Sequence, residues 1–116
     1  MGISAYVKYK GESVEESLKR ESGEPDEWFG FSAATMAELE KLGSLAGIDT
    51  PLWGTVAEPW IPPEEAGAHA TKLRRFLAKV EPGPSGSLTD EEMCGLMLQV
   101  ISFLEVAERH DGYIVD

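Results

Sequence analysis

Alternation of apolar and polar side chains predicts a β-strand at each end of the chain. At the start, Ile, Ala, Val and Tyr at positions 3, 5, 7 and 9 alternate with Ser, Tyr and Lys residues. This period of two residues is typical of a strand that buries one face. At the other end, the segment YIVD follows Gly112 and predicts a closing strand. We expect the two strands to pair in a small antiparallel sheet.

Apolar residues spaced three and four positions apart predict helices between these strands. We expect three to four helices, which follow Ser13, Ser32, Pro63 and Thr89 in the sequence. Ser13 and Thr89 are each followed three residues later by Glu, which is the spacing of a capping box. Gly43 is predicted to end the second helix.

The last helix, over about residues 90–110, is apolar around most of its circumference. Its polar side is one stripe, which consists of Glu91, Gly95, Gln99, Ser102, Glu105 and Arg109. One neighbouring element would not cover the remaining apolar surface. We therefore predict that this helix is central and contacts both the sheet and at least one other helix. A homodimer that covers part of this surface is an alternative.

Glycine and proline interrupt regular structure in two connections that carry aromatic residues. Residues 23–31, with the sequence GEPDEWFGF, are predicted to form a loop that its aromatic side chains anchor to the core. Residues 49–63 contain four prolines and two tryptophans, and we predict an irregular connection there. Together these patterns predict an α+β fold.

The length and composition indicate a single domain with one modest core. The chain has 116 residues, and no apolar run is long enough to span a bilayer. The first residues lack the basic and apolar segments of a secretory signal. Cys94 is the single cysteine, which excludes an internal disulfide and is typical of a reducing compartment. We expect a cytoplasmic protein.

Charge is the strongest global signal in the sequence. The chain has 21 acidic and 10 basic residues, a net charge of −11, and most of the acidic excess lies between residues 11 and 65. Binding of a nucleic-acid backbone depends on Lys and Arg, so direct nucleic-acid binding is not expected. A basic protein would instead be attracted. The alternative is that the charge only maintains solubility.

Tryptophans and acidic residues occur close together in the two irregular connections. Aromatic side chains provide contact area at low entropic cost, and carboxylates steer a basic partner toward them. The predicted partner-binding residues are Glu24, Asp26, Glu27, Trp28, Trp53, Glu58 and Trp60. The alternative for at least two of the tryptophans is packing in the core.

Residues with catalytic potential are few. Cys94 is surrounded by apolar and acidic residues and is expected to be a structural thiol. Glu65 and His69 are four residues apart on one predicted helix, so they could form an acid–base pair or line a ligand site. No phosphate-binding glycine motif is present. We expect no cofactor and no metal.

Three segments resemble small uncharacterised bacterial proteins of the YfbM-like and immunity-protein type. They are the start MGISAYV, the run PWIPPEEAGAHATKL that leads into a helix, and the ending FLEVAERHDGYIVD. The resemblance covers about half of the chain and concerns the order of elements. The middle of the chain departs from the pattern, and no residue role is carried over.

The sequence favours a non-catalytic acidic protein-binding module. We expect an inhibitor or immunity-type neutraliser of a basic, nucleic-acid-handling protein, without direct contact to nucleic acid or membrane, as a monomer or homodimer. The alternative is a small-ligand-binding domain or enzyme with a pocket around Glu65 and His69.

Overall fold

The two predicted terminal strands form the centre of the sheet. A computed structural model describes residues 2–13, 15–16, 28–53, 59–81, 83–84, 87 and 89–115. Within these residues the elements are, in order, β1 (Gly2–Val7), β2 (Trp28–Ser32), α1 (Ala33–Leu45), β3 (Trp60–Ile61), α2 (Pro63–Lys79), α3 (Glu91–Arg109) and β4 (Tyr113–Val115). The predicted α+β class is confirmed.

The strands form one antiparallel sheet in the order β2-β1-β4-β3. In its centre, Ala5 of β1 lies opposite Val115 of β4, and Val7 lies opposite Tyr113. The prediction that the two ends of the chain pair is therefore confirmed. β2 and β3 form the two edges of the sheet.

The prediction of a loop over residues 23–31 is wrong for its described part, which begins at Trp28 and forms β2. Phe29 lies opposite Ala5 and is buried in the core. Pairing with β1 satisfies backbone groups that this burial removes from water. Gly30 does not break the strand but accommodates the Trp28 side chain, since a Cβ on Gly30 would lie 2.8 Å from Trp28 Cζ2.

The connection over residues 49–63 is less irregular than predicted. Its described residues include β3, in which Trp60 lies opposite Ile114 of β4. The pairing extends one residue further, because the carbonyl of Pro59 accepts a hydrogen bond of 3.0 Å from the Val115 N–H. A strand of two residues is too short to leave a periodic pattern in the sequence.

Ser32 caps α1 as predicted, and its hydroxyl accepts a hydrogen bond of 3.2 Å from the Thr35 N–H. The helix does not end at Gly43, which is buried inside it, but continues to Leu45. The left-handed residue that follows is Gly47, with φ of +95°. Gly47 therefore terminates the turn after α1, because glycine adopts this conformation without a steric penalty.

α3 begins one residue later than its capping box predicted. Asp90, not Thr89, caps the helix, and its carboxylate accepts a hydrogen bond of 2.8 Å from the Met93 N–H. The cap that was predicted at Ser13, for the first helix of the sequence, is confirmed, because the Glu16 N–H donates a hydrogen bond of 3.2 Å to the Ser13 hydroxyl. The rest of that predicted helix lies outside the described residues.

α3 is the central helix of the core, as predicted. It packs mainly on α2 and also contacts β1 and β2. Its buried side chains are Met93, Met97, Val100, Ile101, Phe103, Leu104 and Ala107. Leu98, which lies outside the predicted polar stripe, is nevertheless 53% exposed. None of the helices in the described part of the chain is long and apolar enough to cross a membrane.

Tyr113 of β4 joins the sheet to the core and to the loop after α1. Its ring lies edge-on to Phe103 at 5.3 Å, and its hydroxyl donates a hydrogen bond of 2.5 Å to the carbonyl of Leu52. Burial, followed by the charges of Glu65 and Glu40, raises the pKa of Tyr113 far above its ordinary value. The hydroxyl therefore stays protonated and remains a donor to Leu52.

Candidate protein-interaction surface

The register of the sheet aligns both surface tryptophans in one row. Tyr6 lies opposite Trp28 on one side and Ile114 on the other, and Ile114 lies opposite Trp60. Opposed residues of neighbouring strands project to the same face. We call Trp28, Tyr6, Ile114 and Trp60 the outer-face row. Its ends are separated by three strand spacings, or about 14 Å between the tryptophan Cα atoms.

The two ends of the outer-face row are its accessible parts. The side chains of Trp28 and Trp60 are each 42% exposed, whereas Ile114 is fully buried and Tyr6 is half-buried. The opposite face of the sheet points into the core, where Phe29 is buried. Two large aromatic side chains are therefore presented at opposite edges of one face.

Trp28 lies along the sheet surface over Gly30. An added Cβ at Gly30 would be 2.8 Å from Trp28 Cζ2 and 2.9 Å from Ser4 Oγ, so the indole occupies the space that another side chain would fill. The absence of a Cβ at Gly30 thus determines the position of Trp28. Half-exposed aromatic rings held in this manner are suited to contact a partner.

Trp60 is held by a hydrogen bond and by a cation. Its Nε1–H donates to the Asp111 carbonyl at 2.8 Å. The Lys8 ammonium lies 5.9 Å from the centre of the Trp60 ring and also forms an ion pair with the Asp111 carboxylate. A cation at this distance is attracted to the face of an indole. Trp60 therefore has a fixed orientation at its edge of the sheet.

Trp53 does not belong to this surface, and its prediction as a partner-binding residue is corrected. The side chain is 6% exposed and stacks on Phe29, with ring centres 5.6 Å apart. Its Nε1–H donates a hydrogen bond of 2.8 Å to the carbonyl of Met36 in α1. Burial with a satisfied indole N–H is the alternative that the sequence left open for the tryptophans.

The predicted acidic contact residues Glu24, Asp26, Glu27 and Glu58 lie outside the described residues. In the sequence, each of them is within four residues of Trp28 or Trp60. Both edge strands therefore begin within two residues of an acidic position in the sequence.

Glu65 and His69 do not form the predicted pair within the described contacts. Glu65 is exposed in the first turn of α2, whereas His69 is 4% exposed. Among the described residues, neither ring nitrogen of His69 has a hydrogen-bond partner. Burial, and to a smaller extent the charge of Lys72, lowers the pKa of His69. The imidazole is therefore held neutral inside the core.

An open groove of about 640 Å³ lies between the start of α2 and the end of α3. Charged groups of both signs line it, including Lys10, Glu64, Glu108 and Asp111. His69 and Glu65 are not among its lining residues. This groove is therefore not the pocket that was predicted around Glu65 and His69.

Cys94 and Glu105, both named in the sequence analysis, have structural partners. The Cys94 thiol is half-buried and lies 3.6 Å from the carbonyl of Thr89. Arg74 pairs with Glu105 at 2.6 Å, and this guanidinium lowers the pKa of the Glu105 carboxyl. In the part of the chain that the structure describes, no group of three or more His, Cys, Asp or Glu side chains is arranged to hold a metal ion.

Sequence reasoning missed Tyr6, Lys8 and Ile114 as neighbours of the surface tryptophans. A signal for the first two was present, because Tyr6 and Lys8 occupy the polar positions of the alternation at the start of the chain. Ile114 could not be assigned to the outer face without the register of β4 against β1.

Comparisons of the chain with models of protein families, with curated proteins and with solved structures find no match. The resemblance to YfbM-like and immunity-type proteins therefore stays a prediction.

Proposed function

We propose that this protein is a non-catalytic binding module that recognises a basic protein through the outer face of its sheet. In this proposal the activity is inhibition, or immunity-type neutralisation, of a nucleic-acid-handling protein. The observation that supports the proposal most directly is the outer-face row, in which Trp28 and Trp60 are presented together on one face.

Charge supports a basic partner. The net charge of −11 attracts cationic proteins over a distance and opposes contact with nucleic acid itself. Both surface tryptophans follow acidic positions in the sequence, among them Glu27 and Glu58. Aromatic contacts would then supply affinity, while the carboxylates would supply steering and selectivity.

The alternative of a ligand-binding domain or enzyme around Glu65 and His69 has less support. Solvent does not reach either ring nitrogen of His69, so a ligand would have to displace core side chains to contact them. A general acid or base must approach the transferred proton within hydrogen-bond distance. Glu65 alone, exposed on a helix surface, offers no enclosed site.

The proposal is tested by calorimetric titration of the purified protein with a panel of basic nucleases, at low and high salt. Polylysine serves as the control for attraction by charge alone. We expect one or more nucleases to bind with salt-sensitive affinity and to lose activity in the complex. Trp28→Ala and Trp60→Ala should each weaken binding by roughly tenfold or more, or at least about 1.4 kcal/mol.

A matched control is Leu98→Ala, since Leu98 is also an exposed large apolar residue but lies on α3. This variant should bind like the wild type. The combined change Glu24→Ala, Asp26→Ala and Glu27→Ala should slow association and reduce the salt dependence. Affinity that is indifferent to salt and unchanged in the tryptophan variants would contradict the proposal.

A further inference from the structure

β2 is an edge strand whose own residues lack the usual protection against an added strand. It runs over five residues, Trp28–Ser32, and contains neither proline nor a charged side chain. It pairs with β1 on one side and is the last strand of the sheet in the part of the chain that the structure describes. Natural edge strands are commonly blunted by proline, lysine, a bulge or extreme shortness.

The alternating direction of backbone hydrogen bonds along β1 determines which backbone groups of β2 point away from the sheet. The Lys8 N–H donates to the Gly112 carbonyl at 2.9 Å, on the β4 side of β1. Backbone groups alternate in direction along a strand, so those of Ala5 point toward β2, where Phe29 lies opposite. The N–H and C=O groups of the alternate residues Trp28 and Gly30 therefore point away from the sheet.

Exposed aromatic side chains flank this edge on both faces. Trp28 projects to the outer face and is 42% exposed, while Phe31 projects to the opposite face and is 38% exposed. An extended segment beside β2 could therefore contact one aromatic ring on each of its own faces. Strand addition obtains affinity from backbone hydrogen bonds and specificity from such side-chain contacts.

We infer that the β2 edge accepts an extended, basic segment of the partner as a fifth strand of the sheet. This inference rests on the proposed function and specifies how the partner is bound. Charge complementarity identifies the occupant, because a net charge of −11 attracts a cationic segment and repels a second copy of the chain.

At the β3 edge, Lys8 and Trp60 show the contact that we expect between a cation of the partner and Trp28 on the same face of the sheet. Lys8 lies 5.9 Å from the ring centre of Trp60. Within the described residues, Trp28 has no such cation, although it has the same exposure as Trp60. A lysine or arginine of the added strand would supply one.

The test uses a short peptide of alternating valine and lysine, with blocked ends, and amide hydrogen exchange followed by NMR. At saturating peptide, exchange of the Trp28 and Gly30 amides should slow by at least about tenfold. The amides of Phe29 and Phe31 already face β1 and should change much less. Peptides with glutamate in place of lysine, or with a central proline, should not produce this alternating protection.

Two substitutions localise the binding further. Trp28→Ala should weaken peptide binding by about tenfold, and Phe31→Ala should also weaken it. Leu98→Ala should leave peptide affinity unchanged, because Leu98 is exposed on α3 and not on the sheet. Circular dichroism of each variant establishes that the fold is retained. If Trp28→Ala does not fold, the peptide affinity of Phe31→Ala is compared with that of the wild type instead.

Peptide binding without protection of the Trp28 and Gly30 amides, or no binding at all, would overturn the inference. Protection of these amides by raising the protein concentration alone would also overturn it, because the occupant would then be a second copy. If a basic nuclease binds through both tryptophans but leaves the Trp28 and Gly30 amides exchanging freely, the proposed function holds and strand addition is wrong. If the peptide adds to β2 while every basic nuclease fails to bind, the proposed function is wrong instead.

Discussion

β3 and β2 form the two edges of one sheet, but they are constructed differently. β3 has two residues, with Pro59 before it and Pro62 after it, and its Trp60 is held by a hydrogen bond to the Asp111 carbonyl. β2 has five residues without proline, and its Trp28 is positioned by packing over Gly30. The proline-flanked edge has little capacity to pair, whereas the longer edge can accept another strand.

The two exposed tryptophans also differ in how their side chains are held. Trp60 already has a polar partner and a cation within the chain, so its orientation is fixed before any partner binds. Trp28 rests on a glycine and exposes the same fraction of its surface. We therefore expect Trp60 to act as a rigid anchor and Trp28 to respond more to binding.

The largest stability effect is expected at the glycine on which the β3 edge depends. Gly112 has φ of +81°, and a Cβ there would overlap the carbonyl oxygen of Ile61 in β3. Gly112→Ala should lower the free energy of unfolding by about 3 kcal/mol or more, since both backbone strain and a backbone clash must be relieved. Urea denaturation measures this change.

Gly11→Ala provides the matched control for Gly112→Ala. Gly11 has φ of +87°, but no atom of the described residues lies within 4 Å of an added Cβ. Its replacement should therefore reflect backbone strain alone, about 1 kcal/mol. Equal losses in the two variants would mean that the contact between Gly112 and β3 is unimportant.

Acid should destabilise the protein through His69, on the helix that follows β3. The pKa of His69 is lowered in the folded state, whereas in the unfolded chain it is about 6.5. As pH falls below about 6.5, the unfolded state binds a proton that the native state does not, so stability falls by up to about 1.4 kcal/mol per pH unit. The loss ends when pH falls below the lowered pKa of the native state.

His69→Leu should reduce this pH dependence and should cost little stability near neutral pH, because it removes two buried nitrogens that have no hydrogen-bond partner among the described residues. Urea titrations of both proteins between neutral pH and mild acid measure the difference. The other titratable groups are common to both proteins and cancel in the comparison. Identical slopes would show that His69 is not buried as described.

The smallest stability effect separates the two exposed tryptophans. Trp60→Phe removes the hydrogen bond to the Asp111 carbonyl and should lower the free energy of unfolding by about 1 kcal/mol. Trp28→Phe should lower it by less, since within the described residues the Trp28 indole N–H has no hydrogen-bond partner to lose. If Trp28→Phe lowers the free energy of unfolding more than Trp60→Phe does, Trp60 is not the more firmly held of the two tryptophans.

Much of the fold could be predicted from the sequence, because its main elements have clear periodic patterns. The alternation in β1 and the closing segment after Gly112 predicted the central pair of strands. The breadth of the apolar surface on α3 predicted its central position. β2 could not be predicted in this way. In the sequence Gly30 indicates an interruption of regular structure, and only the structure shows that Trp28 packs over it within a strand.

The candidate surface was less predictable than the fold. Trp53 and Trp60 occur in similar proline-rich sequence, yet one is buried and the other exposed. The difference arises from a tertiary contact, since the Met36 carbonyl of α1 accepts the hydrogen bond from the Trp53 indole. Local sequence contains no information about such a distant partner.

The most direct test of the central claim follows the three indole N–H signals by NMR, with a soluble paramagnetic reagent, before and after addition of a basic nuclease that binds. Before addition, the reagent should broaden the signals of Trp28 and Trp60 but not that of buried Trp53. In the complex, both surface signals should be shielded from the reagent. Broadening of Trp28 and Trp60 that is unchanged in the complex would contradict recognition through the outer face of the sheet.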